Sequence, residues 1–134
     1  MAAAIGTSPR MQIQPMNVGL WNLSIYAMYR ESILSKYVII NLDEWNTTTP
    51  YDRPSRSFDL EVPSDIVGAR VELLTGPGAD SMSNITWAGR SWDVPNGGLG
   101  TVEKNDTTVV KSRDGKLLVT VQSSEAVVVT LIKD

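Results

Sequence analysis

From residue 10 onward the chain is a succession of short alternating runs broken by turn residues, and that punctuation constrains its fold more than any other feature. Over residues 23–29, Leu23, Ile25, Ala27 and Tyr29 share one face and Ser24, Tyr26 and Met28 the other. This period of two is that of a half-buried strand. Residues 57–62 set Phe58, Leu60 and Val62 against Asp59 and Glu61, and Pro63-Ser64 ends the run. Residues 35–43, the most apolar run, read as a central strand. Residues 10–16 read as a short strand edged by Pro15, which cannot donate to a ladder. Further strands are expected over 69–74, 107–111, 116–122 and 125–132, with Asp114-Gly115 as a turn and Ser123-Ser124 as the bend of a terminal hairpin. Turn signals recur roughly every 8 to 12 residues, which predicts an all-β antiparallel sandwich of about eight or nine strands, immunoglobulin-like or Greek-key in type.

No amphipathic helix of useful length interrupts this pattern, so alternating β and α units are excluded. Gly76-Pro77-Gly78-Ala79-Asp80 lacks both the glycine spacing and the following helix of a dinucleotide site. Residues 1–9 read as the remnant of a preceding helix or linker, with Gly6 and Pro9 stopping it, and residues 10–134 as one β-sandwich domain. The start has neither the basic region nor the apolar length of a signal peptide, and no run approaches the roughly twenty apolar residues of a membrane span.

Composition narrows the chemistry sharply. Among 134 residues there is no Cys and no His. That removes the Ser-His-Asp triad, the thiolate nucleophile and the usual zinc ligands, and no cofactor or metal is expected. The formal net charge of −3 is spread without basic clusters, which argues against a nucleic-acid or anionic membrane partner.

Paired carboxylates are the one hydrolytic apparatus left, and Asp43, Glu44, Asp80 and Asp93 flank the aromatic-rich segments. Their ordinary role is to accept hydrogen bonds in turns. Trp21, Trp45, Trp87 and Trp92 offer aromatic faces on which a sugar ring can stack, although large aromatics in a sandwich more often pack in its core or against another domain. Trp87 and Trp92 fall in residues 73–93, a stretch with Gly, Pro and an Asn-x-Thr sequon and no sustained apolar period. It reads as a structured loop, with short strands at 85–88 and 91–93 across a turn at Gly89. Trp87, Trp92, Asp80 and Asn84 are therefore the candidate interface or sugar-stacking residues. Sequons begin at Asn22, Asn46, Asn84 and Asn105, and the loop positions Asn46 and Asn105 are the candidate N-glycosylation acceptors. Lys104 and Lys111 have no apolar surroundings and read as solvated.

Several stretches together resemble one family: Ile25-Tyr26-Ala27-Met28-Tyr29, Val38-Ile39-Ile40-Asn41-Leu42-Asp43-Glu44-Trp45-Asn46, residues 73–81, Asn84-Ile85-Thr86-Trp87-Ala88-Gly89 and Glu125-Ala126-Val127-Val128-Val129. The chain is similar over nearly its whole length to the C-terminal β-domain of glycoside hydrolase family 79, the family of β-glucuronidases and heparanase. That resemblance implies a (β/α) barrel upstream carrying two catalytic glutamates of a retaining mechanism, and no position of this chain inherits them. It also implies a secreted parent. Where the family tends to have a Glu-Asn/Asp-Gly turn, this chain has Arg30-Glu31-Ser32-Ile33, a departure in turn chemistry.

The expectation is thus a non-catalytic accessory domain that braces a catalytic barrel through residues 73–93. Parted from that barrel it would expose an apolar patch and self-associate. A carbohydrate-binding, lectin-like module using the loop Trp residues is the second reading, and a hydrolase built on a carboxylate pair the third.

Overall fold

A computed structural model of the chain describes residues 10–93 and 97–134. The helix tail expected over residues 1–9 and the first residue of the turn cluster at 96–100 lie outside the described residues. Eleven strands run through the described residues: β1 Met11–Met16, β2 Leu23–Arg30, β3 Ile33–Asn41, β4 Ser55–Glu61, β5 Ile66–Thr75, β6 Thr86–Trp87, β7 Arg90–Ser91, β8 Thr101–Val102, β9 Thr107–Lys111, β10 Lys116–Gln122 and β11 Glu125–Lys133. Their number exceeds the expected eight or nine; β6 and β7 correspond to the short strands expected at 85–88 and 91–93, whereas β8 is a two-residue ladder that hydropathy alternation cannot register.

All pairings are antiparallel, and the two layers are unequal. Nine strands form one sheet in the order β1-β2-β3-β11-β5-β6-β7-β8, with β9 also on β5, and β4 pairs with β10 to form the second layer. Strand β5 carries two partners on one edge: residues 68–72 pair with β9 and residues 74–75 with β6. The edge position of β1 fits its Pro15, whose missing N–H leaves no hole in a two-sided ladder.

The core lies between the layers. Leu23, Ile25 and Ala27 of β2, Tyr37 and Ile39 of β3, Val71 of β5 and Val127 and Val129 of β11 meet Leu60 of β4 and Leu117, Val119 and Val121 of β10. The other side of the large sheet carries a second cluster: Met28, Val38 and Val128 are buried beneath Met11, Tyr26, Ile40 and Trp87. Strands β2, β3 and β11 are therefore apolar on both faces, which is why they read as nearly continuous hydrophobic runs.

Residues 123–124 are not the bend of a hairpin. The register of β10 is with β4 and that of β11 is with β3 and β5, so the chain changes sheets at Ser123-Ser124. The turn at Asp114-Gly115 forms as expected, closed by the Arg113 and Lys116 backbone pair at 2.9 Å in both directions. Beyond that pair β9 and β10 likewise part into different layers.

Candidate functional site

The loop-rich end of the sandwich gathers most of the candidate residues, and a buried ion pair organises it. Arg53 Nη1 stands 3.5 Å from Glu125 Oε1, with side chains only 12% and 5% exposed. The guanidinium also donates to the carbonyls of Ser123 (2.6 Å), Gly76 (2.8 Å) and Ser124 (3.1 Å). It lies 5.6 Å from the centre of the Trp45 ring. A planar five-donor group can satisfy all of these acceptors at once, and lysine could not. Glu125 in turn accepts from the Thr75 hydroxyl and from the Gln122 N–H. One arginine thereby ties the sheet crossing at 123–124 to the start of the glycine-proline turn. The Ser124 hydroxyl completes the crossing: it donates to the Asp43 carbonyl and accepts from the Trp45 N–H, both at 2.9 Å.

The expected loop over residues 73–93 is in part regular. Strand β5 continues to Thr75, and β6 and β7 pair as Thr86 with Ser91 and Trp87 with Arg90 across Ala88-Gly89. Only residues 76–85 form an irregular turn. Gly89 holds φ +79° with the Lys104 carbonyl so close that an added Cβ would lie 1.6 Å from its oxygen, and Gly89 accepts from the Glu103 and Lys104 N–H groups. No other residue type fits there.

Each candidate carboxylate is engaged by donors of its own. Asp43 accepts from the Asn22 amide and pairs with Arg56 at 2.9 Å, Glu44 accepts from the Asn46 amide at 2.7 Å, and Asp93 accepts from the Asn84 N–H at 3.0 Å. Asp80 accepts from the Thr47 N–H at 2.9 Å and from its hydroxyl at 2.8 Å. Those bonds, the backbone one foremost, hold its carboxyl below the usual aspartate range. They also bring the chain so close that a Cβ on Gly78 would sit 2.8 Å from the Thr47 nitrogen. Asp80 is thus the clasp between the 76–81 turn and the 45–49 loop. Among the described residues no group of three or more Asp or Glu could hold a metal ion.

The two tryptophans of the stretch have separate surroundings. Trp87 is half-buried on β6 and belongs to the outer cluster of the large sheet. Trp92 is 48% exposed, and its indole lies against the backbone of Gly100, where a Cβ would come within 2.9 Å of the ring. Asn84 is exposed with φ +59°. It lines an open cleft of about 570 Å³ together with Trp45, Arg53, Thr86 and Glu125. On the outer face a groove of about 680 Å³ runs over Ile40, Leu42, Leu74, Ile85 and Ala126, between the 42–46 loop and the 76–81 turn. Asn46 borders that groove. Asn105 is exposed, and its side-chain oxygen accepts from the Thr107 N–H at 3.2 Å.

Sequence reasoning passed over Arg53 and Glu125. Arg53 stood in a polar loop with two prolines, and Glu125 was read as the first residue of a strand. The signal that could have found them is the placement of one acidic residue at the head of an otherwise apolar strand, Glu125-Ala126-Val127-Val128-Val129, where burial demands a cationic partner.

The fold and this site define an antiparallel β-sandwich whose loop carboxylates are engaged in holding its own turns. The chain belongs to glycoside hydrolase family 79: the family's C-terminal β-domain matches residues 25–128. A β-glucuronidase of Neurospora crassa is 31% identical over 97 residues, a match that takes in 56% of this chain and 17% of that protein. The crystal structure of a 4-O-α-L-rhamnosyl-β-D-glucuronidase from Fusarium oxysporum, in complex with Rha-GlcA, superposes with a TM-score of 0.71 over 89% of this chain at 23% identity, and shows the same fold. The superposed part is 26% of that enzyme, so the chain spans about a quarter or less of the relatives it matches. Among the described residues no helix is long and apolar enough to cross a membrane.

Proposed function

We propose that this chain serves as the non-catalytic C-terminal β-domain of a secreted β-glucuronidase-type glycoside hydrolase, bracing the catalytic barrel that supplies both glutamates of a retaining mechanism. The observation that carries the reading is the match of most of the chain to the family's β-domain, while it spans so small a share of its full-length relatives. The engaged state of Asp43, Glu44, Asp80 and Asp93 supports the same division of labour, since none stands ready to attack or protonate a glycosidic bond. The test is a chimera. The matched segment of the Neurospora β-glucuronidase is deleted, and this chain is fused in its place. The truncated enzyme should lose activity rapidly on warming and the chimera should keep it; equal lifetimes would sink the proposal.

A carbohydrate-binding role has one observation in its favour, the exposed face of Trp92. Titration with glucuronide oligosaccharides should then quench Trp fluorescence saturably in the wild-type chain and in Trp45→Phe, and not in Trp92→Ala. The bracing reading expects no saturable response in any of them.

A further inference from the structure

We propose that the outer face of the large sheet, from Ile13 and Tyr26 across Ile40 and Leu42 to Ile85 and Trp87, is the surface on which the rest of the parent enzyme packs, and that the groove beside Leu42 receives its apolar side chains. This rests on the accessory-domain reading and says which face does the bracing.

Three observations converge on that face. An antiparallel sheet with one side in water should alternate apolar and polar residues, whereas strands apolar on both sides expect a layer on each. The inner side has its layer in β4 and β10. Among the described residues, the outer side carries Met28, Val38 and Val128, with the partly buried Met11, Tyr26, Ile40 and Trp87 packed against them. Ile13, in register with Met28, is 58% exposed, and Leu42 and Ile85 on the groove are 53% and 43% exposed. Lys36, Arg70 and Glu72 share this side of the sheet through their pairings with Met28 and with β9 and β11. They give the apolar area a polar border, the usual layout of a docking surface.

The far side of the small layer is different. Its outward residues include Ser57, Asp59, Glu61, Lys116, Thr120 and Gln122, with Ser57 and Thr120 hydrogen-bonded at 2.8 Å, and one apolar side chain, Leu118, among them. That is a solvent face.

Connectivity agrees. The family's β-domain is C-terminal by description, and about three quarters of the Fusarium enzyme lies outside the superposed part, so the bulk of such a parent precedes the domain. A preceding chain enters through β1, the edge strand of this same sheet, whose Met11, Ile13 and Pro15 stand opposite Arg30, Met28 and Tyr26. The mass that must be braced is therefore tethered beside this outer face.

The chimera decides it in three forms: wild-type, Ile13→Lys/Leu42→Lys/Ile85→Lys, and Leu118→Lys. All four substituted side chains are solvent-accessible, and the unfolding midpoint of each isolated chain confirms folding. The triple variant should shorten the thermal half-life of glucuronidase activity about tenfold relative to the wild-type chimera, while Leu118→Lys leaves it unchanged. A triple variant as long-lived as wild type, or an equal loss in Leu118→Lys, overturns the assignment of the face. A wild-type chimera no better than the truncated enzyme instead overturns the accessory reading. Sedimentation of the isolated chain should show weak, concentration-dependent association that the triple variant lacks; a tight dimer unaffected by the triple substitution would place the apolar contact elsewhere and count against the proposal.

Discussion

Glu125 and Arg53 form the most consequential contact at the level of single residues. The pair is almost wholly removed from water, and losing one partner of such a pair leaves an uncompensated charge, at a cost of about 3–5 kcal/mol. Glu125→Gln keeps the shape, and Arg53 keeps its three carbonyl acceptors, so we expect the bottom of that range, about 3 kcal/mol, as a lower urea midpoint with an unchanged slope. The exposed Arg10–Glu31 pair, with side chains 75% and 60% exposed, should contribute less than about 1 kcal/mol by the same measurement. Tyr37 gives a pH-dependent counterpart. Burial first, and then the nearby Tyr29 and Glu61, push its phenol above the ordinary tyrosine value, while its hydroxyl donates to the Glu61 carbonyl at 2.7 Å. Because the folded state holds this proton more tightly than the unfolded one, its contribution is complete below about pH 10 and is lost as pH rises through the folded-state value. Tyr37→Phe should be less stable by about 1 kcal/mol at neutral pH, yet show a shallower alkaline decline than wild type. An unchanged alkaline limb would assign that decline to other groups. Asp80 runs the opposite way: its depressed carboxyl supports the loop clasp above about pH 4 and ceases to as pH falls through the folded-state value.

At the level of elements, turns decide how much was legible. Asp114-Gly115 announced its own geometry, and both residues take positive φ, 51° and 71°. Glu31-Ser32 adopts the same kind of two-residue turn, at φ 52° and 65°, with neither Asn nor Gly to ease it. The pairing of Arg30 with Ile33 closes the β2–β3 hairpin regardless, because the apolar faces of the two strands fix the register. The departure from the family's turn chemistry thus leaves strain rather than a different connection. Glu31→Asn with Ser32→Gly should relieve about 1 kcal/mol and raise the melting temperature by a few degrees. A fall would mean that these side chains do more in the folded chain than close a turn. Period and register made β2, β4, β9 and β10 readable to within a residue or two. The two-residue ladders β6 to β8 were not all readable, since so short a segment carries no periodicity. The crossing at Ser123-Ser124 was misread for a related reason: local sequence specifies a bend, whereas the layer each strand joins is set by distant partners, here Arg53 and the 43–45 loop.

For the whole molecule, the legible part was the class of architecture, and the illegible part was which side faces what. Continuous apolar runs in residues 37–40 and 126–129 hinted at burial on both faces, but the pairing of β4 with β10 is what shows that, among the described residues, the second layer lies on one face alone. That asymmetry bears on the sequons. Asn46 borders the outer groove, its amide donates to Glu44, and its N–H is held by the Thr49 hydroxyl at 3.1 Å. A glycan there would stand where the parent enzyme is expected to pack. Asn105 lies by the Lys104–Asp106 ion pair in the stretch before β9, exposed and away from the groove. In a chimera secreted from a glycosylating host, Asn105 should therefore carry glycan and Asn46 should carry little or none, as read by peptide mapping after enzymatic deglycosylation in heavy-oxygen water. Secretion of the isolated chain removes the shielding, so occupancy at Asn46 should rise there while that at Asn105 stays constant. High occupancy at Asn46 in an active, thermally durable chimera would show that the groove stays open to solvent when the domain is docked, and would move the bracing surface to another face.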